Sequence, residues 1–160
     1  MKTIALEEHY WDEEVASHFK ERGPEMRNPA MHERLRDLGA LRLKEMDEAG
    51  IDLQVVSHGA PPPERVNAET AVPLARRAND RLFESIRKHP GRFEAFAVLP
   101  TADPKAAAHE LEGAVTKLGF KGAMVHGLTA IGGANLFLDD KRFWPIFERA
   151  QALDVPLYMH

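Results

Sequence analysis

The sequence predicts an α/β protein built on a parallel sheet, and three features carry that prediction. Short apolar runs alternate with longer segments of three- and four-residue periodicity. The turns from helix to strand are short. Several runs are apolar on both faces, as parallel strands covered by helices must be.

The first run, Ile4-Ala5-Leu6-Glu7-Glu8-His9, ends in a carboxylate and an imidazole two residues apart. Residues i and i+2 of a strand share a face, so Glu7 and His9 are expected on one side and Glu8 on the other. One strand can deliver two ligands to one metal ion in this way; by itself the run is equally a strand fraying into polar loop. From Tyr10 to Pro29 the chain is polar and punctuated by Gly23-Pro24 and Asn28-Pro29, which predicts a long loop with at most one short helix. His18 and His32 are expected as surface histidines.

Leu41, Leu43, Met46 and Ala49 make a helical stripe that Gly50 ends, and Ile51 to Ser57 reads as the second strand, running into His58-Gly59-Ala60 and the prolines Pro61 to Pro63. Glu64 to His89 is helical in period, with Pro73 predicting a kink or a break, and Pro90-Gly91 ending it. Arg92 to Leu99 is the third strand. Thr101 to Asp103 caps a helix with Pro104 in its first turn, running through Leu111 to Leu118 and stopping at Gly119.

Phe120 to Val125 is the fourth strand, ending in His126-Gly127. Gly132-Gly133-Ala134-Asn135 follows as a loop without phosphate-cradle spacing. Asp139-Asp140 caps a further helix with Phe143, Phe147 and Ala150 on its inner side. The fifth strand, Val155 to His160, carries a histidine at its end, as the first strand does, so strands of one direction would bring His160 to Glu7 and His9.

A (β/α)8 barrel takes roughly 250 residues, so five of its strands need about 160, the length found here. No G-x-G-x-x-G follows the first strand, and an open five-stranded sheet would leave two bare edges. The chain is therefore read as the N-terminal five-eighths of a single (β/α)8, TIM-barrel-type domain over residues 1–160.

Composition bounds the partners. With 44% hydrophobic and 29% charged residues the chain is globular, and 21 basic against 25 acidic residues form no basic block for nucleic acid or an anionic membrane. No apolar run approaches a membrane span, and the N-terminus is unlike a signal peptide, so a cytoplasmic location is expected. Without cysteine, any metal must be held by His, Asp or Glu.

Ala5 to His9, Met46-Asp47-Glu48-Ala49-Gly50-Ile51-Asp52, Leu138-Asp139-Asp140 with Phe143-Trp144-Pro145, and Val155 to His160 together resemble the amidohydrolase superfamily. The resemblance is to its metal-dependent decarboxylases of aromatic and related acids, such as the γ-resorcylate, 2,3-dihydroxybenzoate, 5-carboxyvanillate and aminocarboxymuconate semialdehyde enzymes. It implies that Glu7 and His9 are first-strand metal ligands, that His160 is the fifth-strand ligand, and that the family's later histidine and aspartate lie beyond His160. Glu8 has no such role.

One carboxylate and two imidazoles suit Zn²⁺ or Mn²⁺. The implied activity is non-oxidative decarboxylation of a small ortho-hydroxybenzoate-like acid, with the catalytic acid or base beyond His160 and a homo-oligomer as the full-length state. His58, His126 and Asn135, at or beyond the ends of the second and fourth strands, are candidate substrate contacts or water-facing rim residues. Hydrolysis of a lactone or amide by the same ligands and a non-catalytic truncated fragment are the rival readings.

Overall fold

The computed structural model describes residues 1–19 and 28–160. Its strands are β1 (Ile4–Tyr10), β2 (Leu53–His58), β3 (Phe93–Ala95), β4 (Ala123–Val125), β5 (Leu128–Ile131), β6 (Ala134–Phe137) and β7 (Leu157–Met159). Its α-helices are α1 (Glu13–Ser17), α2 (Pro29–Arg36), α3 (Ala40–Ala49), α4 (Ala68–Ile86), α5 (Pro104–Leu118) and α6 (Trp144–Leu153), with 3-10 turns at Pro63–Arg65 and Lys141–Phe143.

β1, β2 and β3 form one parallel sheet and β4 pairs in parallel with β7. A parallel bridge between Ala97 and Ala123 joins the two. β3 is shorter than the predicted Arg92 to Leu99, and the chain around it bonds both neighbours through alternate residues: Phe96 N–H donates to Val56 at 3.0 Å and Ala97 N–H to Gly122 at 2.8 Å. The order β1-β2-β3-β4-β7, all parallel and interleaved with helices, is that of five strands of a (β/α)8 barrel.

Both sheet faces are apolar, for a period-2 reason. Val56, Ala95, Ala97, Ala123 and Val125 pack on Met46, Leu82, Leu111, Phe143 and Ile146 of the helical layer. Their alternates Leu53, Val55, Phe96 and Met124 gather on the other face with Tyr158. Ile4 and Leu6 on β1, and Met159 on β7, remain exposed at the two outer edges.

The helix signals in the sequence act as read at most ends. Gly50 and Gly119 take left-handed conformations that close α3 and α5, and the Asp103 side chain accepts from the amides of Lys105 and Ala106. Asn28 likewise caps α2, with Pro29 at its first position. α1 is the short helix expected in the first loop; the Gly23-Pro24 turn falls outside the described residues.

Four expectations need correction. α4 does not break at Pro73 but runs through it as one helix, beginning only at Ala68 because Asn67 caps it. Pro73 lies on the exposed face, where the carbonyl it leaves unpaired can meet water, while Ala71, Leu74, Ala75, Ala78 and Leu82 anchor the buried face on both sides of it. The glycine loop is an antiparallel hairpin, β5 with β6, in which Gly132 and Gly133 adopt positive φ at the turn. Buried Thr129 ties it to Thr101 by a 2.7 Å hydroxyl contact. Because of this hairpin, the predicted fifth barrel strand is β7. In α6, Phe147 is exposed and Ile146 occupies the inner position, since Phe143, Ile146 and Ala150 recur at helical spacing. The predicted fourth strand contracts to Ala123–Val125, because Gly122 has φ 146° and its backbone lies against Pro156, whose oxygen would be 2.2 Å from an added Cβ.

Candidate metal centre

The C-terminal ends of β1 and β7 bring Glu7, His9 and His160 together, each offering a ligand atom within 4.8 Å of the others. The local chain makes this possible through a bulge. Ala5 pairs with Gln54 and Glu8 with Val56, so β1 spends one more residue than β2 over that interval, and Glu7 adopts φ 63°. On the outer side of the bulge, Gln54 Nε2 donates to Glu8 at 3.0 Å, and buried Arg42 donates to Gln54 at 3.2 Å and to the His9 carbonyl at 2.7 Å. Glu8 thus faces the helical side, as expected, and Glu7 the mouth.

The two imidazoles meet through Nε2 at 3.3 Å, with ring centroids 5.0 Å apart, and His160 Nε2 lies 3.3 Å from a Glu7 oxygen. His9 Nδ1 rests 3.3 Å from the Ser57 hydroxyl, which fixes the ring and leaves Nε2 toward the cluster. Gly59 lets His9 in: a Cβ there would stand 3.3 Å from that of His9. Tyr158, stacked on Phe96 at 5.8 Å, donates its hydroxyl to the second Glu7 oxygen.

Charge follows geometry. The Tyr158 hydrogen bond, with the two histidines nearby, holds the Glu7 carboxyl below its ordinary range, while burial and then His160 push His9 down. The phenol of Tyr158 is raised by the same Glu7 contact. A carboxylate and two imidazole nitrogens crowded at 3.3 Å, each ring able to offer a lone pair at Nε2 in one tautomer, are a donor set that a cation would satisfy. Oxygen and nitrogen donors in this number fit Zn²⁺ or Mn²⁺.

The other three candidates part company. His126, after β4, places its ring 5.3 Å from that of His160 and is mostly buried. His58 is committed to the backbone: Nδ1 donates to Gly59 at 2.6 Å and Nε2 accepts from Asp12 at 3.1 Å, so no ring nitrogen is left for a substrate. Its expected contact is withdrawn on that ground. Asn135 is exposed on the hairpin strand β6.

Sequence reasoning missed Ser57, Gly59, Glu64 and Tyr158. Tyr158 was within reach, since it lies two residues before His160 and so shares its face in a strand. Nothing near the triple proline signals that Glu64 is buried, at 1% exposure, beside His126.

A parallel sheet of barrel type with a carboxylate and two imidazoles gathered at its mouth defines the class, an amidohydrolase-type barrel. The chain belongs to the Amidohydrolase family, which it matches over residues 7–160. It is 42% identical over 160 residues to a γ-resorcylate decarboxylase of Polaromonas sp. (strain JS666), covering 98% of this chain and 49% of that protein. Among solved structures it resembles dihydroxybenzoic acid decarboxylase from Polaromonas sp. JS666, with bound manganese and the inhibitor 2-nitroresorcinol, at TM-score 0.88 and 40% identity over 100% of this chain and 49% of the other. A 2,6-dihydroxybenzoate decarboxylase complexed with 2,6-dihydroxybenzoate superposes at TM-score 0.89 and 38% identity, over 100% of this chain and 50% of that one. The chain spans about half the length of the curated relatives it matches. Among the described residues, no helix is long and apolar enough to cross a membrane.

Proposed function

We propose that residues 1–160 are the N-terminal five-eighths of one barrel domain, and that the whole protein is a metal-dependent, non-oxidative decarboxylase of a small ortho-hydroxybenzoate such as 2,6-dihydroxybenzoate. The convergence of Glu7, His9 and His160 at the sheet mouth carries this reading. The half-length match to named decarboxylases supports it, as do the apolar residues exposed on the β1 and β7 edges, which further strands would cover.

In this proposal Glu7 Oε1 and the Nε2 atoms of His9 and His160 hold one Zn²⁺ or Mn²⁺. When bound, such an ion supplies a Lewis acid and a template for the phenol and carboxylate oxygens of the acid. Tyr158 fixes the rotamer of Glu7, and Ser57 that of His9. Proton transfer to the ring carbon that bears the carboxylate breaks the bond to CO₂, and the electron pair of that bond returns to the ring; the donor of that proton belongs to residues beyond His160. Oligomerisation of the full-length protein is part of the same proposal, supported by Trp144 and Phe147 exposed side by side on α6.

Titration calorimetry with Mn²⁺ and Zn²⁺, on the 160-residue chain and on the full-length protein, tests the reading together with CO₂ release from 2,6-dihydroxybenzoate. The expected result is weak binding and no turnover by the short chain, since losing the outer support of a metal site costs about 10–100-fold. The full-length protein binds tightly and turns over, and Glu7→Gln with His9→Ala abolishes both. Ring opening of lactones without CO₂ release, or turnover by the short chain, would overturn it.

A further inference from the structure

Beside the three clustered ligand atoms stands a pair that the metal reading does not use. Glu64, in the 3-10 turn after the prolines, is 1% exposed, and its Oε1 lies 3.4 Å from both the backbone nitrogen and Nδ1 of His126. His126 Nε2 is buried without a hydrogen-bond partner among the described residues, as is the second Glu64 oxygen. His126 is not one of the residues that share the 4.8 Å cluster, yet its ring is 5.3 Å from that of His160. The pairing of Val125 with Met159 places the two histidines side by side at the ends of β4 and β7.

The backbone N–H of His126 donates to Glu64 Oε1, which marks that oxygen as an acceptor. The ring nitrogen beside it, Nδ1, is therefore the one that carries hydrogen, and in the neutral imidazole Nε2 is left with a lone pair. A buried acceptor with no donor, next to a proposed metal site, calls for a ligand that brings one.

We propose that His126, set in this tautomer by Glu64, recognises a second ortho-hydroxyl on the aromatic acid by accepting its hydrogen at Nε2. The inference rests on the decarboxylase reading, in which the carboxylate and one ortho-hydroxyl face the metal; the other ortho position is then free to meet His126. Glu64 acts through His126 and is a positioning residue. Together they make the site selective for 2,6-dihydroxybenzoates over 2-hydroxybenzoates.

The test is the binding of 2,6-dihydroxybenzoate and of 2-hydroxybenzoate to the manganese-loaded full-length protein, read by calorimetry. His126→Ala is expected to weaken the dihydroxy acid about tenfold and the monohydroxy acid less than about twofold, the scale of one lost hydrogen bond. Glu64→Leu should shrink the discrimination about threefold by freeing the tautomer. His126→Gln, whose amide oxygen is also an acceptor, should restore part of it. Manganese affinity is measured in each variant as a check on the fold and should stay within about twofold of the parent.

Equal weakening of both acids, no change in either, or loss of manganese from His126→Ala overturns the proposal while leaving the decarboxylase reading standing. Failure of the parent protein to bind either acid overturns both.

Discussion

The hydroxyl of Tyr158 donates to the carboxylate of Glu7 across 151 residues of sequence, joining β7 to β1 although the two strands are not paired in the sheet. One Glu7 oxygen is thereby held by the phenol and the other faces His160 Nε2. Replacing Tyr158 with Phe keeps the stack on Phe96 and removes only the hydroxyl. Metal affinity of the full-length protein, read by calorimetry, should fall about tenfold, with little loss of fold stability because Glu7 is exposed. Unchanged affinity would show that the contact does not orient the carboxylate.

Glu7 also inverts an ordinary rule. In a regular strand alanine is more stable than glycine by roughly 0.5–1 kcal/mol, but at φ 63° an L side chain meets its own backbone. Glu7→Gly is therefore expected to be more stable than Glu7→Ala by about 1 kcal/mol in metal-free protein. Urea unfolding of the two variants measures this; the usual order would mean that the bulge relaxes without Glu7.

His58 predicts an acid sensitivity. Burial pushes its imidazole down to about 4, outweighing the Gly59 carbonyl and Asp12, which favour the charged form. The unfolded chain takes up a proton near pH 6.5 that the folded protein refuses until about pH 4, so acid favours unfolding through this window and the effect is absent above it. The full cost is about 3 kcal/mol. Comparing unfolding free energies at pH 7 and pH 4.5, His58→Gln should show a drop smaller than the parent's by about 2 kcal/mol. Equal drops in the two proteins would show that His58 titrates in the fold as it does in water.

Gly122 couples the sheet to the site. With φ 146° and the Pro156 oxygen 2.2 Å from an added Cβ, Gly122→Ala must push β7 away from β4. We expect a loss of about 3 kcal/mol in stability, and weaker metal binding because His160 follows β7. Thermal unfolding and metal titration check the two effects; a stable variant with intact metal affinity would refute the coupling.

The order of the elements was legible because it rests on local physics. Glycines in left-handed conformation, Asx caps and first-turn prolines act within a few residues, so α3 and α5 end or start where the sequence says. Phe147 was misread because a residue's burial depends on which face its neighbours cover, and an apolar period fixes that only to within one position. The hairpin β5–β6 escaped because two short strands with a glycine turn look like a loop until Thr129 and Thr101 dock them.

At the site the division is similar. The sequence by itself determined the parallel α/β class, the direction of the strands, and that Glu7, His9 and His160 close two of them. It could do so because strand direction and side-chain alternation are properties of the chain pattern. Only the tertiary structure decided that β1 bulges at Glu7, that Ser57 and Tyr158 orient His9 and Glu7, that His58 is committed to the backbone of Asp12 and that Glu64 stands behind His126. These depend on register and on contacts between residues tens to more than a hundred positions apart, and a one-residue shift in pairing changes every one of them.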